Sequence, residues 1–510
     1  MGVPGFFSWL LQRNKNNKKL IVSNTDKHKS CLFIDANCLL HPNVNYIIQK
    51  VKREKRDISR DQLEQEIYAY MRYYINDLIS KTDAKMVYIA IDGVAPMAKI
   101  LQQRQRRYKY YFDDQFKIDN IEMNKLEQEH KEKVNIAKFP ITSIELTPGT
   151  PFMKRIHNFM IEYVKELNSK NIITLYSSFE EEGEGEHKLI NYIKQNCKND
   201  KIIVYGLDAD LLFLTLSVDE NLNNQIFVMR EKQVFQNTEI DYDKEMEYNF
   251  VDITELHKII NNLNIPVLDF IILCYVIGND FLPHIKSVDI RLGGLDKIIN
   301  AYVEVNKPLY KDNKIDHNVL LIIFNKLVWT ERWDIKKNNY NKKELNIDDL
   351  KIEFKNKSDF YNYYLGTEKV EQEIIIDMVK QYITGFDWCI EYYTNKCKNW
   401  GWGYSYLIAP LITDIVDYYP LEITIENKEC ELKPIEQLLF AIPQGTYKYV
   451  IDQEIINKIK NSKEIGYLFP ESYDIEINKD SVYWKFPVKI PLIGELEYRE
   501  YIAHIKTLNL

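Results

Sequence analysis

Cys31-Leu32-Phe33-Ile34 runs straight into Asp35, and three further stretches are built alike. They are Met86-Val87-Tyr88-Ile89-Ala90-Ile91 before Asp92, Ile172-Ile173-Thr174-Leu175-Tyr176 leading toward the acids around Glu180, and Ile202-Ile203-Val204-Tyr205 before Gly206-Leu207-Asp208. Short, near-continuous runs of β-branched and aromatic residues, separated by helical patterns, predict strands of a parallel sheet covered on both faces. The fold class is therefore α/β. Open α/β sheets place their ligand sites beyond the C-terminal ends of the strands, so that edge is expected to carry an acidic cluster.

Working outward, amphipathic spacing predicts helices over Gln62 to Ile79 and Phe152 to Leu167. The highly charged stretch from Asp113 to Lys138 reads as a projecting helix or a solvated loop. Residues 310–350 are rich in Lys, Asn and Asp and read as a linker or insertion, and 370–510 carry aromatic-rich helical segments followed by a Pro-punctuated tail. At roughly 150 residues per domain, 510 residues suggest about three units or one large core with a helical extension. The cysteines Cys31, Cys38, Cys197, Cys274, Cys389, Cys397 and Cys430 are odd in number and form no C-x-x-C pair, which argues against a disulfide framework and a zinc site. No signal-like start and no apolar run near the roughly 18 residues of a bilayer span are present, so a soluble protein of a reducing compartment is expected, with the cytoplasm favoured. Lys and Arg total 67 against 75 Asp and Glu, a net charge of −8. Nucleic-acid binders usually show a basic excess, so that balance stands against such a partner until the acids are accounted for.

Many of the acids fall in a pattern. Asp208 and Asp210 lie two apart after a strand, Glu184 and Glu186 two apart in Gly183-Glu184-Gly185-Glu186-His187-Lys188, and Asp280 follows Gly278-Asn279 at the end of an apolar helix. With Asp35 and Asp92 they form a set of oxygen ligands on several strand ends, which suits hard cations such as Mg²⁺. So many carboxylates cannot ionise together in one cleft unless cations neutralise them. Two ions about 3.5–4 Å apart could activate water and stabilise a leaving oxygen in phosphodiester hydrolysis. Taken singly, any one of these acids reads more readily as a helix cap or turn residue, and the Asp208/Asp210 pair about equally either way.

A basic counterpart follows Asp92. No acid occurs from Gly93 to Phe112, while Lys99, Arg104, Arg106, Arg107 and Lys109 fall close together. On a helix, Lys99, Gln103 and Arg106/Arg107 occupy i, i+4 and i+7/i+8 and share a face. Forked guanidiniums, an ammonium and an amide are groups that grip a terminal phosphate. The bland reading is a solvated helix surface; the position next to a strand-end acid favours a phosphate pocket.

These residues, together with Met1 to Leu10, Phe33 to Pro42, Asp92 to Lys99 with Gln102 to Arg107, Thr147 to Met153, Gly183 to Lys188, Tyr205 to Asp210 and Gly278 to Pro283, resemble in content and order the blocks of the XRN family of 5′-to-3′ exoribonucleases. A weaker likeness continues through Trp388 to Tyr393, Trp400 to Pro410 and Pro434 to Leu439. The resemblance implies a PIN-like parallel-sheet nuclease core flanked by helices over 1–300, a linker or insertion over 301–350, and a mainly helical second region over 351–510 that closes the active site. It implies two Mg²⁺ ions, with Mn²⁺ as a substitute, on Asp35, Asp92, Glu184, Glu186, Asp208, Asp210 and Asp280, which are also the catalytic residues. It further implies a 5′-monophosphate pocket of Lys99, Gln103, Arg106 and Arg107, and base stacking by His41 and by Trp400 or Trp402. The expected partner is single-stranded RNA with a 5′-monophosphate, degraded processively to nucleoside 5′-monophosphates by a monomer that works with decapping or RNA-decay factors and no membrane.

The sequence departs from the family pattern at Ser8 and Met97, where a basic residue is common, at Glu182, where Pro is usual, and at Gly403, Ser405, Leu407 and Ile408 in the second region. The first two predict weaker RNA affinity. The resemblance also ends with the core, so the small β-rich domains of the large cytoplasmic members are expected to be absent. Two other readings stay open: a 5′-nuclease acting on DNA or flap structures, and a catalytically silent RNA-binding adaptor, which would need a missing acid. Two divalent ions would halve the formal −8, so the acidic balance partly describes the proposed catalytic centre and no longer excludes a nucleic-acid partner.

Overall fold

The computed structural model describes all residues except 1, 2, 4, 26–28, 126–143, 209, 233–244, 338–355, 421, 476–486 and 509. The four apolar runs are strands: β2 (Ser30–Asp35), β3 (Ala84–Ala90), β4 (Ile173–Ser177) and β5 (Lys201–Tyr205). They join β1 (Ile21–Val22), β6 (Gln225–Glu231) and β7 (Tyr248–Asp252) in a seven-stranded sheet of order β1-β7-β6-β5-β2-β3-β4. The five strands from β6 to β4 are parallel, with Phe33 of the central β2 opposite Tyr88 and Val204. The purely parallel sheet expected from the sequence is corrected to a mixed one, because β7 pairs antiparallel with β6 and β1 antiparallel with β7.

Helices cover both faces, as the apolar runs require. Alternate strand residues feed two cores: Leu32, Ile34, Val87, Ile89 and Ile203 face α2 (Asn37–Arg53), α3 (Arg60–Thr82) and α5 (Pro151–Ser169). Phe33, Ile202 and Val204 face the opposite core, with α1 (Phe6–Arg13), α6 (Gly185–Asn196), α7 (Asp210–Leu216), α8 (Ile253–Asn261) and α9 (Val267–Cys274). Leu32, Phe33 and Ile34 are completely buried, each adding about 1.5–3 kcal/mol of burial free energy. The helix starts follow local chemistry. Ser59 and Gln62 form a capping box on α3, and Thr150 with Pro151 opens α5.

The basic stretch forms α4 (Met97–Lys125). The helical alternative thus holds from Asp113 to Lys125; the remainder to Lys138 lies outside the described residues. Met97 is fully buried with Ile100 against α15 (Pro434–Ala441) and α17 (Glu495–Lys506), so its lack of charge belongs to a core and not to an RNA path.

The stretch 301–350 is not a linker in its described part. After α10 (Gly294–Val305) and a β8–β9 hairpin (Tyr310–Lys311, Lys314–Ile315), residues His317–Lys337 form α11, which buries Leu320, Ile323, Phe324 and Leu327 in the main core. The polar residues around it hid an apolar stripe that packs on α10 and on α14 (Ile412–Asp417). The second region adds α12 (Lys357–Leu365), α13 (Gln372–Thr394), α14, α15, α16 (Gln453–Lys460) and α17. All seven cysteines are free, and among the described residues no helix is long and apolar enough to cross a membrane.

Candidate metal and phosphate site

The acids gather at the C-terminal edge of the sheet. Asp35 closes β2, Asp92 follows β3, Asp208 follows β5 and Asp210 opens α7. Glu184 caps α6 and Glu186 lies in its first turn, where the positive end of the helix favours carboxylates. Two glycines permit this convergence. A Cβ on Gly93 would lie 1.7 Å from the Glu181 carbonyl oxygen, and Gly278 turns at φ +89° just before Asp280. Asp92 Oδ1 accepts from the Gly185 N–H at 2.6 Å, which ties the ends of β3 and α6 together.

Asp208, Asp210 and Asp280 each offer an oxygen within 4.8 Å of the others. Glu186 Oε2 and Asp210 Oδ1 are buried without a hydrogen-bond partner. Buried carboxylate oxygens without donors are rare in folded proteins, and an all-oxygen donor set fits a hard cation. The electrostatics agree. Burial and the neighbouring Asp92 push Asp35 up to about 7. Burial, with Asp208 nearby, raises Glu186 and Asp210 well above the carboxylate range.

Lys99 joins this cluster. Its Nζ lies 2.5 Å from Glu184 Oε2 and 2.8 Å from Asp280 Oδ2. Burial works against its charge, but Glu184 and Asp280 outweigh it and raise its pKa. One turn further along α4, Gln103 is buried with Oε1 unpartnered. Arg107 donates through one nitrogen to Thr147 Oγ1 at 3.2 Å and leaves Nη1 unpartnered, while Arg106 is exposed. Burial and the charge of Arg106 pull Arg107 down to about 9. Burial and the same two arginines hold His41 down at about 4, so it is neutral at physiological pH beside them. A guanidinium whose charge is disfavoured by burial and by a neighbouring arginine favours an incoming anion.

The tryptophans lie against the start of α4. The carbonyls of Trp400 and Trp402 accept from the Met97 and Ala98 N–H groups at 2.9 and 3.0 Å, fixing the start of α4. The Trp402 ring stacks on Trp388 with centroids 5.0 Å apart, and among the described residues neither tryptophan ring contacts His41. Arg104, part of the basic run, is buried and donates to the carbonyls of Phe440 and Leu468. It is a structural clamp to the second region.

Sequence reasoning missed several neighbours of the acids. Tyr392 of α13 donates to Glu184 Oε1 at 3.0 Å and stacks on the buried His187 at 3.7 Å. Lys188 donates to the carbonyls of Ile91 and Ser178 at 2.9 and 2.8 Å, bracing the end of β3. Cys38 Sγ lies 2.9 Å from Asp35 Oδ2 and accepts from the Leu207 N–H at 3.2 Å. Tyr392, His187, Lys188 and Cys38 fall inside the motif blocks; their partners depend on the tertiary fold.

Sheet, acid cluster and basic helix define an α/β protein in which acids that could hold a metal ion lie beside a basic helix. The chain belongs to the XRN family: residues 1–232 match the profile described as XRN 5′-3′ exonuclease N-terminus, and 261–317 with 326–508 match the Xrn1 helical domain. It is similar to 5′-3′ exoribonuclease 1 of Homo sapiens, at 24% identity over 99% of this chain and 34% of that one. Its identity to 5′-3′ exoribonuclease 2 is 23% in Arabidopsis thaliana, over 99% of this chain and 67% of that one. In Candida albicans it is 30%, over 61% and 37%. The chain thus spans about a third of the human relative. A solved structure of the T5 D15 protein co-crystallised with metal ions shares 11% identity at a TM-score of 0.27, covering 59% of this chain and 89% of that one, and adds nothing to the fold assignment.

Proposed function

We propose that the chain is a Mg²⁺-dependent, processive 5′-to-3′ exoribonuclease core of PIN-like type, degrading uncapped 5′-monophosphorylated RNA to nucleoside 5′-monophosphates. The observation that carries this is Lys99. Its ammonium touches Glu184 and Asp280, while its own helix presents Gln103, Arg106 and Arg107, so anion pocket and acid cluster are contiguous.

Asp208, Asp210 and Asp280 would hold one Mg²⁺ or Mn²⁺, with Asp35, Asp92, Glu184 and Glu186 available to a second. When bound, such ions supply charge neutralisation, water activation and stabilisation of the leaving oxygen. The residues of the chain do the selecting and positioning. Arg106, Arg107, Gln103 and Lys99 grip a terminal monophosphate, and the half-buried His41 offers a neutral ring on which any base can stack, a sequence-tolerant contact worth about 1–3 kcal/mol. Gripping the 5′ end aligns the first internal phosphodiester with the acids. A pocket that grips a monophosphate with these four side chains is expected to reject a cap or triphosphate. The Trp400 to Trp402 segment and Tyr392 bring the second region against the site, which supports access by a strand end. We further infer a cytoplasmic monomer that acts after decapping, alongside RNA-decay factors.

The test is digestion of 5′-monophosphate, 5′-triphosphate and capped RNA, and of 5′-monophosphate DNA, each with Mg²⁺ and with EDTA. Mononucleotide release from monophosphorylated RNA in Mg²⁺ alone is expected. Equal rates on capped RNA remove the pocket assignment, equal or faster rates on DNA favour the flap-type reading, and no release from any substrate favours the adaptor.

A further inference from the structure

The end of β6 carries a charged pair, Arg230-Glu231, that no part of the proposed chemistry uses. Met229 pairs with Tyr205, the last residue of β5, so Arg230 stands where β5 leaves the sheet toward Asp208. Strand alternation sends Arg230 to the face of Val228 and Glu231 to the face of Met229.

Both are almost wholly enclosed, at 3% and 0% exposure. A buried guanidinium costs several kcal/mol unless paired. Among the described residues no carboxylate forms a salt bridge with Arg230; its Nη2 donates to the main-chain carbonyl of Asp208, its Nε has no partner, and its Cζ lies 5.6 Å from the Phe7 ring centre. On the other face Glu231 Oε1 accepts from Tyr205 at 2.6 Å and from Tyr74. Ahead of Asp208, the Leu207 N–H is held by Cys38 Sγ. The backbone from Tyr205 to Asp208 is thus pinned from three sides, two of them by consecutive residues of β6.

We propose that Arg230 is a positioning residue for the Asp208/Asp210 pair, fixing the Asp208 peptide so that both carboxylates converge with Asp280. The inference rests on the metal-site reading above. Holding the Asp208 carbonyl fixes the backbone orientation at Asp208, and with it how its carboxylate stands to Asp210 at the start of α7. Outer groups that orient metal ligands typically change metal affinity on the order of 10–100-fold when removed.

The test is titration of Mg²⁺ alone into the full chain, by calorimetry without RNA, for wild type, Arg230→Met and Arg230→Lys. Thermal unfolding is run in parallel, with kcat and KM on 5′-monophosphate RNA across Mg²⁺ concentrations. Expected is Mg²⁺ binding at least about tenfold weaker in both variants, KM for RNA within about twofold of wild type, and part of the lost kcat restored by raising Mg²⁺. If Arg230→Met does not hold its fold, Arg230→Lys decides, since it keeps charge and most of the volume but not the fork. Wild-type Mg²⁺ affinity in a folded variant overturns the inference, as does a kcat loss that Mg²⁺ concentration does not touch. Absence of Mg²⁺ binding by the wild type overturns the metal site itself.

Discussion

Replacing Asp35 by Asn should make the metal-free protein more stable while destroying its chemistry. Asp35 is 5% exposed at the end of the central strand, and burial and Asp92 hold it at about 7. The folded state keeps a proton there that the unfolded chain releases. Stability contributed by this group is therefore complete below about pH 4 and is lost as the pH rises to about 7. A carboxyl at about 7, against an ordinary value near 4, costs the folded state about 4 kcal/mol once the pH exceeds 7. Asn has nearly the same shape and still accepts from the Asn37 N–H, which lies 3.1 Å from Oδ1. In EDTA the variant should match wild type near pH 4.5 and exceed it by several degrees in Tm at pH 8. With Mg²⁺ the order should narrow or invert, because a cation that binds only the folded state stabilises wild type by mass action and the variant has one ligand fewer. Differential scanning fluorimetry from pH 4.5 to 8, in EDTA and in Mg²⁺, reads all of this. A variant less stable than wild type at pH 8 in EDTA, or a difference independent of pH, refutes the reasoning.

Three further outcomes are expected. Asp208→Ala should abolish turnover in Mg²⁺ while RNA binding, measured by fluorescence anisotropy, stays near wild type, since the basic helix is untouched; retained activity removes Asp208 from the metal site. Arg107→Ala should raise KM for 5′-monophosphate RNA about 10–100-fold, as expected for losing a charged hydrogen bond of about 1.5–3 kcal/mol, with no change on 5′-hydroxyl RNA. His41→Ala should weaken binding by about 1–3 kcal/mol, with His41→Phe recovering most of it; equal losses in both would mean that the imidazole does more than stack.

The parts legible in the sequence were those set by local pattern. The central strands announced themselves because β2 and β5 are buried along their whole length and the runs in β3 and β4 are still largely apolar. The acids followed, since each stands at or just beyond a strand end or in a glycine-punctuated motif. β6 escaped because Arg230 and Glu231 charge its end, and only their tertiary partners make those charges tolerable inside the protein. β7, Tyr248-Asn249-Phe250-Val251-Asp252, mixes polar and apolar residues because it lies near the sheet edge. The helix His317–Lys337 escaped because it lies inside a Lys- and Asn-rich stretch and its own Asn318, Asn325 and Lys326 stay partly or fully exposed.

By itself the sequence determined which residues could form the site: the seven acids, the face of Lys99, Gln103, Arg106 and Arg107, and the parallel strands that carry the acids to one edge. Periodicity and spacing act over a few residues and can be read one segment at a time. Only the tertiary structure decided what those residues touch. Lys99 reaches Glu184 and Asp280, Tyr392 comes in from the second region to Glu184, the Trp402 ring packs on Trp388, and Arg230 holds the Asp208 carbonyl. These pairings join residues on different elements, Lys99–Asp280 and Tyr392–Glu184 across well over a hundred positions, and depend on how helices and strands stack, which no local pattern encodes.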